Sequence, residues 1–176
     1  MSHYNFASDF RALYDQAVRR FASGTESADS IVTAEERAFL AANGITAQHM
    51  FDYAEDHHGY NGEPGFERAL AIETVRRDYF LNVQRGVPST NVLDKSTLPD
   101  KTSTLLGIEW LPRIIPKAKA KLRGELPPSL MYSCGGDRQF LKEHDIFPAE
   151  FLTLIWRHEN DEAAIAEWVA RRSRGK

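Results

Sequence analysis

Residues 36–51, ERAFLAANGITAQHMF, align without a gap with residues 137–152, DRQFLKEHDIFPAEFL, at a constant shift of 101 positions. Four positions are identical, where average composition predicts roughly one: Arg37, Phe39, Leu40 and Ile45 meet Arg138, Phe140, Leu141 and Ile146. The same shift places Thr33 over Cys134. We therefore predict two related helical halves, the first a diverged copy of the second. The alternative is that two amphipathic helix pairs look alike only because both are helices.

Helical periodicity dominates the rest of the chain. Apolar residues recur at three- and four-residue intervals over 8–22, Thr33 and Glu36 form a capping box before a second helix, and Thr46 caps a third. A fourth helix is predicted over 66–85. Because sustained strand alternation is absent, we predict an all-α fold of about eight helices, arranged as two halves about a pseudo-twofold axis.

The predicted organisation has three parts that share one core in a single domain. They are an N-terminal helical half over 1–86, a connecting loop over 87–104 and a C-terminal helical half over 105–176. The connection is longer than compact domains normally allow, so it is either a linker or a functional loop. In the helix that ends at Gly124, Pro116 is expected to kink the start or to force initiation there.

Composition excludes several classes of function. The formal charge is −3 and the pI about 6.1, which does not favour a nucleic-acid or membrane surface. A single cysteine excludes an intramolecular disulfide and a cysteine-rich zinc site. The first ten residues contain no apolar signal segment, so a cytoplasmic location is expected by default.

The segment DYAEDHHGYNGEPG, residues 52–65, is where the two halves depart from each other. The shift of 101 still lays His57 over His158, but it falls to 94 when residues 72–77 are matched to 166–171. The first half therefore holds seven extra residues there. Polar and glycine-rich insertions at a helix end are frequent positions for functional groups.

This segment offers an acid/base site at His57 or His58, with Glu55 or Asp56 as the orienting carboxylate. Carboxylates near a helix C-terminus are disfavoured by the helix dipole, so a plain solvated charge cluster is the alternative. On a helical wheel His58 points with the apolar residues. The opposite side carries His49, Asp52 and Asp56, which are close enough on a helix to ligate one metal ion. A solvated helix face is the simpler interpretation of these three residues.

A second candidate lies in SCGGDR, residues 133–138. Cys134 falls at a predicted N-cap, where the positive helix end and Arg138 would make the thiol more nucleophilic. Gly135 and Gly136 would let the backbone approach an anionic ligand. The alternative is an inert cysteine before a tight turn. Arg37, the counterpart of Arg138, is a ligand-binding candidate too, although salt bridges between helices explain both arginines more simply.

Residues 110–152 contain WLPRIIPKAKAKLRGELP, CGGDRQFL and a closing acidic-Trp helix beyond them. In these motifs the second half, about residues 107–172, resembles a small bacterial family known as domain of unknown function 5069. The shared features are a Leu-Pro-Arg start, a Lys-Ala-basic-Ala helix that ends in Gly, and a Cys before an Asp-Arg-x-Phe-Leu turn. The resemblance implies a compact helical fold and supplies no chemistry.

Taken together, the sequence favours a cytoplasmic small-molecule enzyme or binding protein that needs no organic cofactor. We expect a pocket between the two halves, with acid/base chemistry at the histidines and a polar or anionic metabolite held by Tyr60, Arg37, Arg138 and the Gly135–Gly136 turn. One alternative is a helical interaction protein that forms a homodimer and catalyses nothing. Another is a metal-dependent enzyme that uses the His/Asp cluster of residues 49–58.

Overall fold

Helices account for most of residues 3–174, which the computed structural model describes. Contacts divide the chain into two compact units, Met1–Gly86 and Val87–Lys176. The connection predicted over 87–104 thus belongs to the second unit. Within the described residues, no helix is long and apolar enough to cross a bilayer.

The first unit contains five helices, whose bounds are α1 Phe6–Ala22, α2 Ala28–Ile31, α3 Ala34–Ala42, α4 Ala47–Gly59 and α5 Phe66–Asn82. The second contains a 3-10 turn, Lys95–Thr97, a hairpin of β1 Thr104–Leu105 and β2 Ile108–Glu109, and four helices: α6 Leu111–Arg123, α7 Gly135–Glu143, α8 Pro148–Arg157 and α9 Glu162–Arg174.

The all-α prediction is confirmed, with two differences in detail. The described residues form nine α-helices rather than about eight, because the Ser27 hydroxyl accepts the Ser30 N–H and starts the one-turn α2. The antiparallel pair of β1 and β2 was not predicted. Two-residue strands are too short to show an alternating pattern.

In the first unit, α1 packs against α4 and α5 through its apolar stripe. Buried apolar side chains on these helices include Phe10, Leu13, Tyr14, Ala17, Met50, Ala54, Ala69 and Ile72. Gly44, in the turn after α3, has a φ of +71°, and a Cβ there would stand 2.4 Å from the Phe80 ring. The turn between α3 and α4 therefore packs directly against α5.

In the second unit, α6 packs against α8. Buried apolar side chains of these two helices include Leu111, Ile114, Ile115, Ala118, Leu122, Phe151, Leu152 and Ile155. Initiation at Pro116 was wrong, since α6 begins at Leu111 and contains that proline in its interior. Pro116 supplies no backbone N–H, yet the helix continues through it, and the preceding Ile114 and Ile115 are buried.

The turns that follow α3 and α7 have the same geometry at the predicted shift of 101. The bounds of the two helices differ by that number, and Gly44 and Asp145 both have left-handed φ angles, +71° and +53°. The Ile45 N–H reaches the Leu40 carbonyl at 2.9 Å, and Ile146 makes the corresponding bond to Leu141 at 2.8 Å. These matches support a duplicated unit, which stays a prediction.

The capping box at the start of α3 is confirmed. The Thr33 hydroxyl accepts the Glu36 N–H at 3.2 Å, and the Glu36 carboxylate accepts the Thr33 N–H at 2.7 Å. The same carboxylate takes both ends of the Arg20 guanidinium, at 2.5 and 3.1 Å. Burial alone would raise the pKa of Glu36, but the hydrogen bonds from Arg20 and Thr33 outweigh it and hold the pKa below its ordinary value of 4.5.

We expect Glu36→Gln to lower the free energy of unfolding by about 1 kcal/mol at pH 7. Because the folded-state pKa of Glu36 is depressed, its contribution is complete above the unfolded-state value and is lost as pH falls through the folded value. The difference in urea unfolding between wild type and variant should therefore shrink as pH falls below the unfolded-state value of about 4.3. Glu35→Gln, exposed in the same helical turn, is the control and should stay close to wild type. A difference that does not shrink in acid would contradict the assignment.

Candidate functional site

The candidate residues lie in two clusters, one in each unit. The histidine cluster consists of Tyr14, Phe21, His57 and His58, on α1 and the last turn of α4. The cysteine cluster consists of Trp110, Lys117, Ser133, Cys134 and Asp137, on α6 and the start of α7.

In the histidine cluster, His57 is half-buried, and its Nδ1 lies 3.5 Å from the Tyr14 hydroxyl. Burial, with a smaller contribution from the negative charge of Asp15, raises the pKa of Tyr14 to about 12. The phenol therefore stays protonated at physiological pH and donates to Nδ1 when that nitrogen is unprotonated. Within residues 3–174, His57 Nε2 has no protein hydrogen-bond partner.

His58 is exposed, but it is held in one orientation. Its Nε2 lies 3.1 Å from the Val18 carbonyl, and its ring stacks on Phe21 with centroids 5.4 Å apart. The partners of both histidines thus come from α1. Orientation by Glu55 or Asp56, as predicted, is not observed, because both rings turn away from the helix surface toward α1.

Glu55 and Tyr60 are exposed near this cluster. Tyr60 is the C-cap residue of α4, and its N–H donates to the Asp56 carbonyl at 2.8 Å. Neither side chain hydrogen-bonds to His57 or His58, whose partners in the described chain are Tyr14 and Val18. The structure therefore brings the two histidines together but leaves Glu55 and Tyr60 outside their hydrogen bonds.

The solvated face predicted for α4 was wrong. His49, Tyr53 and Asp56 are buried. Glu73 of α5, fully buried, accepts the Tyr53 hydroxyl at 2.7 Å and lies 3.3 Å from His49 Nδ1. Burial, and then the nearby Glu73 carboxylate, raises the pKa of Tyr53 well above 10. The α4 pattern could not reveal Glu73, because the acid comes from the next helix.

The side chains proposed as metal ligands are used within the protein. Asp52 accepts the Gln48 amide at 2.7 Å, and His49 contacts Glu73. Among residues 3–174, no group of three or more His, Cys, Asp or Glu side chains has an arrangement suited to a metal ion.

In the cysteine cluster, Cys134 is the N-cap residue of α7, as predicted. Its thiol is half-buried and makes no capping hydrogen bond. The Lys117 ammonium donates to Cys134 Sγ at 3.4 Å and to the Asp137 carboxylate. Lys117 is 2% exposed and Asp137 is fully buried. Sequence reasoning missed this lysine because it lies on α6, 17 positions before the cysteine.

Asp137 is the centre of the cysteine cluster. Its Oδ1 accepts the Trp110 indole N–H at 3.0 Å, and its Oδ2 accepts the Ser133 N–H at 3.0 Å as well as Lys117. Ser133 has a left-handed φ of +65°. Its hydroxyl is buried and has no hydrogen-bond partner in the described part of the chain.

Four further residues predicted for ligand binding have their positions and contacts in the described structure. Arg138 donates from Nη1 to the Ser133 carbonyl at 2.7 Å and so ties the loop to α7. A Cβ on Gly136 would stand 2.7 Å from the Trp110 ring, so this glycine makes room for the indole. Gly135 is the first residue of α7. Arg37 bonds to the Asp29 carbonyl at 2.9 Å and lies in neither cluster.

Residues 96–176 match the family model described as a domain of unknown function (DUF5069). The resemblance of the second half is therefore confirmed. No curated protein and no solved structure matches the chain. The cysteine cluster falls wholly inside the matched residues, and the histidine cluster falls outside them.

The Tyr14 phenol should ionise with a midpoint near pH 12, against an ordinary value of 10. Carbon-13 NMR of labelled tyrosine rings measures this directly, with Tyr14→Phe identifying the resonance. Because folding raises this pKa, the contribution of Tyr14 to stability is complete below pH 10 and is lost as pH rises toward 12. A midpoint near 10 would contradict its burial beside His57.

Proposed function

We propose that the protein is a small-molecule enzyme that uses Cys134 as its nucleophile, with the Lys117 ammonium as the cation beside the sulfur. The observation that carries the proposal is the 3.4 Å contact between Lys117 Nζ and Cys134 Sγ. A thiolate is the reactive form of cysteine, and an adjacent cation stabilises the negative charge that the sulfur carries during attack.

The burial of Lys117 supports a functional role for its charge. Taking an ammonium and a carboxylate out of water costs several kcal/mol per ion, and apolar residues of similar volume often serve stability as well or better. The pair of Lys117 and Asp137 is nevertheless almost entirely buried. As a result of this ion pair, the Lys117 ammonium is held in place beside the only cysteine of the chain.

Ser133 supplies an independent indication of a ligand. Nearly all buried polar atoms in proteins have a hydrogen-bond partner, so a buried hydroxyl without one calls for an explanation. The Ser133 hydroxyl has none among residues 3–174, and the residue is held in a left-handed conformation next to Cys134. A substrate group bound at the thiol would complete its hydrogen bonding once the backbone at Ser133 moves to uncover the hydroxyl, which has no exposed surface in this structure.

The reaction class that fits is transfer of an acyl group to water. The thiolate forms a bond to the carbonyl carbon, and the π electrons move to the carbonyl oxygen, where the N–H groups of the first turn of α7 can stabilise the charge. The leaving group departs with a proton from Lys117. Water then attacks the thioester, Lys117 takes up the water proton, and the acid and the thiolate are released.

The test is the alkylation rate of Cys134 with iodoacetamide at pH 7, followed by mass spectrometry. We expect Lys117→Met to slow the reaction by about tenfold, equivalent to about 1.4 kcal/mol of lost charge stabilisation. Lys119→Met is the matched control, because Lys119 lies on the same helix and its ammonium pairs with Glu162 at 2.7 Å. It should react as wild type does.

Since Lys117→Met alone leaves the Asp137 carboxylate buried without its cation, the double variant K117M/D137N is measured as well. It removes both charges and should be as slow as the single variant. Equal rates in wild type and in the folded double variant would overturn the proposal.

Proton transfer at His57 is a second candidate function, favoured by the half-buried ring whose Nε2 has no protein partner in the described chain. The Tyr14 hydroxyl can donate to or accept from Nδ1, so it holds the ring in each protonation state. Thermal-shift screening of polar metabolites tests it. Compounds that stabilise wild type should lose most of their effect in H57A/H58A and keep it in His158→Ala. Equal shifts in all three proteins would reject this candidate.

A further inference from the structure

We propose that Trp110 is a positioning residue for the thiol chemistry, acting through Asp137 on the Lys117 ammonium. The inference rests on the proposed function, because it concerns the same nucleophile. It adds a residue whose indole N–H bonds to Asp137 rather than to the sulfur.

Trp110 is the N-cap residue of α6, and Lys117 lies seven residues later, within that helix. The Asp137 carboxylate joins them, with Oδ1 taking the indole N–H at 3.0 Å and Oδ2 taking the lysine ammonium. One carboxylate therefore fixes the lysine relative to the tryptophan.

The position of the indole is fixed by the backbone at Trp110 and by the absence of a side chain at Gly136. Trp110 is the N-cap residue of α6 and has a left-handed φ of +69°, which is rare for a bulky residue. Its ring occupies the space that a side chain on Gly136 would need, since a Cβ there would stand 2.7 Å from two ring carbons. The first turn of α7, which follows Cys134, is thereby locked onto the start of α6.

Removing the indole N–H changes the orientation of the Asp137 carboxylate, and through it the position of the Lys117 ammonium. With the N–H present, three donors from three positions fix the rotation of the Asp137 carboxylate: Trp110, Ser133 and Lys117. Without it, Oδ1 has lost its donor and only the two bonds to Oδ2 remain, so the carboxylate can rotate over a wider range, because the terminal torsion of an aspartate is intrinsically broad. The ammonium, which follows Oδ2, then spends less time at 3.4 Å from Cys134 Sγ.

The experiment is a double-mutant cycle on the iodoacetamide rate of Cys134, using Trp110→Phe and Lys117→Met in the full chain. We expect W110F to slow alkylation about fivefold or more in the wild-type background and to have no further effect when Lys117 is already methionine. Trp168→Phe, on α9, is the matched control and should leave the rate unchanged.

A purely structural role for Trp110 predicts equal effects of W110F in both backgrounds, and that result would overturn the inference. So would an unchanged rate in folded W110F, whereas a slow K117M would still support the proposed function. If K117M reacts as fast as wild type, the proposed function itself fails.

Should W110F unfold by circular dichroism, the indole is replaced by benzothienylalanine, which keeps the ring shape and lacks the N–H. It should give the same loss in rate, and a wild-type rate would overturn the inference.

Discussion

Each unit contains an ion pair that joins two of its helices. In both, the acid is the third residue of a short helix, and the cation comes from a longer helix earlier in the chain. Glu36 of α3 holds Arg20 of α1, and Asp137 of α7 holds Lys117 of α6. The acid accepts backbone N–H groups at the helix start while the cation ties two helices together. In the first unit this pair is partly exposed and its role is stability. In the second it is buried, and it fixes an ammonium beside Cys134.

The N-cap residue makes the difference between the two arrangements. Thr33 caps α3 with its hydroxyl, whereas Cys134, 101 positions later, makes no capping hydrogen bond. The sulfur is instead contacted by Lys117 at 3.4 Å. The same local geometry therefore serves as a helix cap in one unit and places a thiol beside an ammonium in the other, which is why the proposed chemistry is placed on the cysteine.

Features set by neighbours in sequence were predictable, and features set by distant partners were not. The capping box at Thr33, the N-cap position of Cys134 and the helical class all follow from local patterns. The buried face of α4 depends on Glu73 of α5. The cysteine cluster depends on Lys117 and on Trp110, 27 positions before the aspartate that it binds. No spacing rule connects these residues until the chain is folded.

The most direct test of the central claim compares the iodoacetamide rate of Cys134 in the native protein with its rate in urea at the same pH. Burial alone protects a cysteine, so an inert, half-buried thiol should react more slowly when folded. Our account predicts the opposite, a native rate at least as fast as the unfolded rate, because Lys117 is at the sulfur only in the folded state. A native rate tenfold or more below the unfolded rate, about 1.4 kcal/mol of protection, would contradict it.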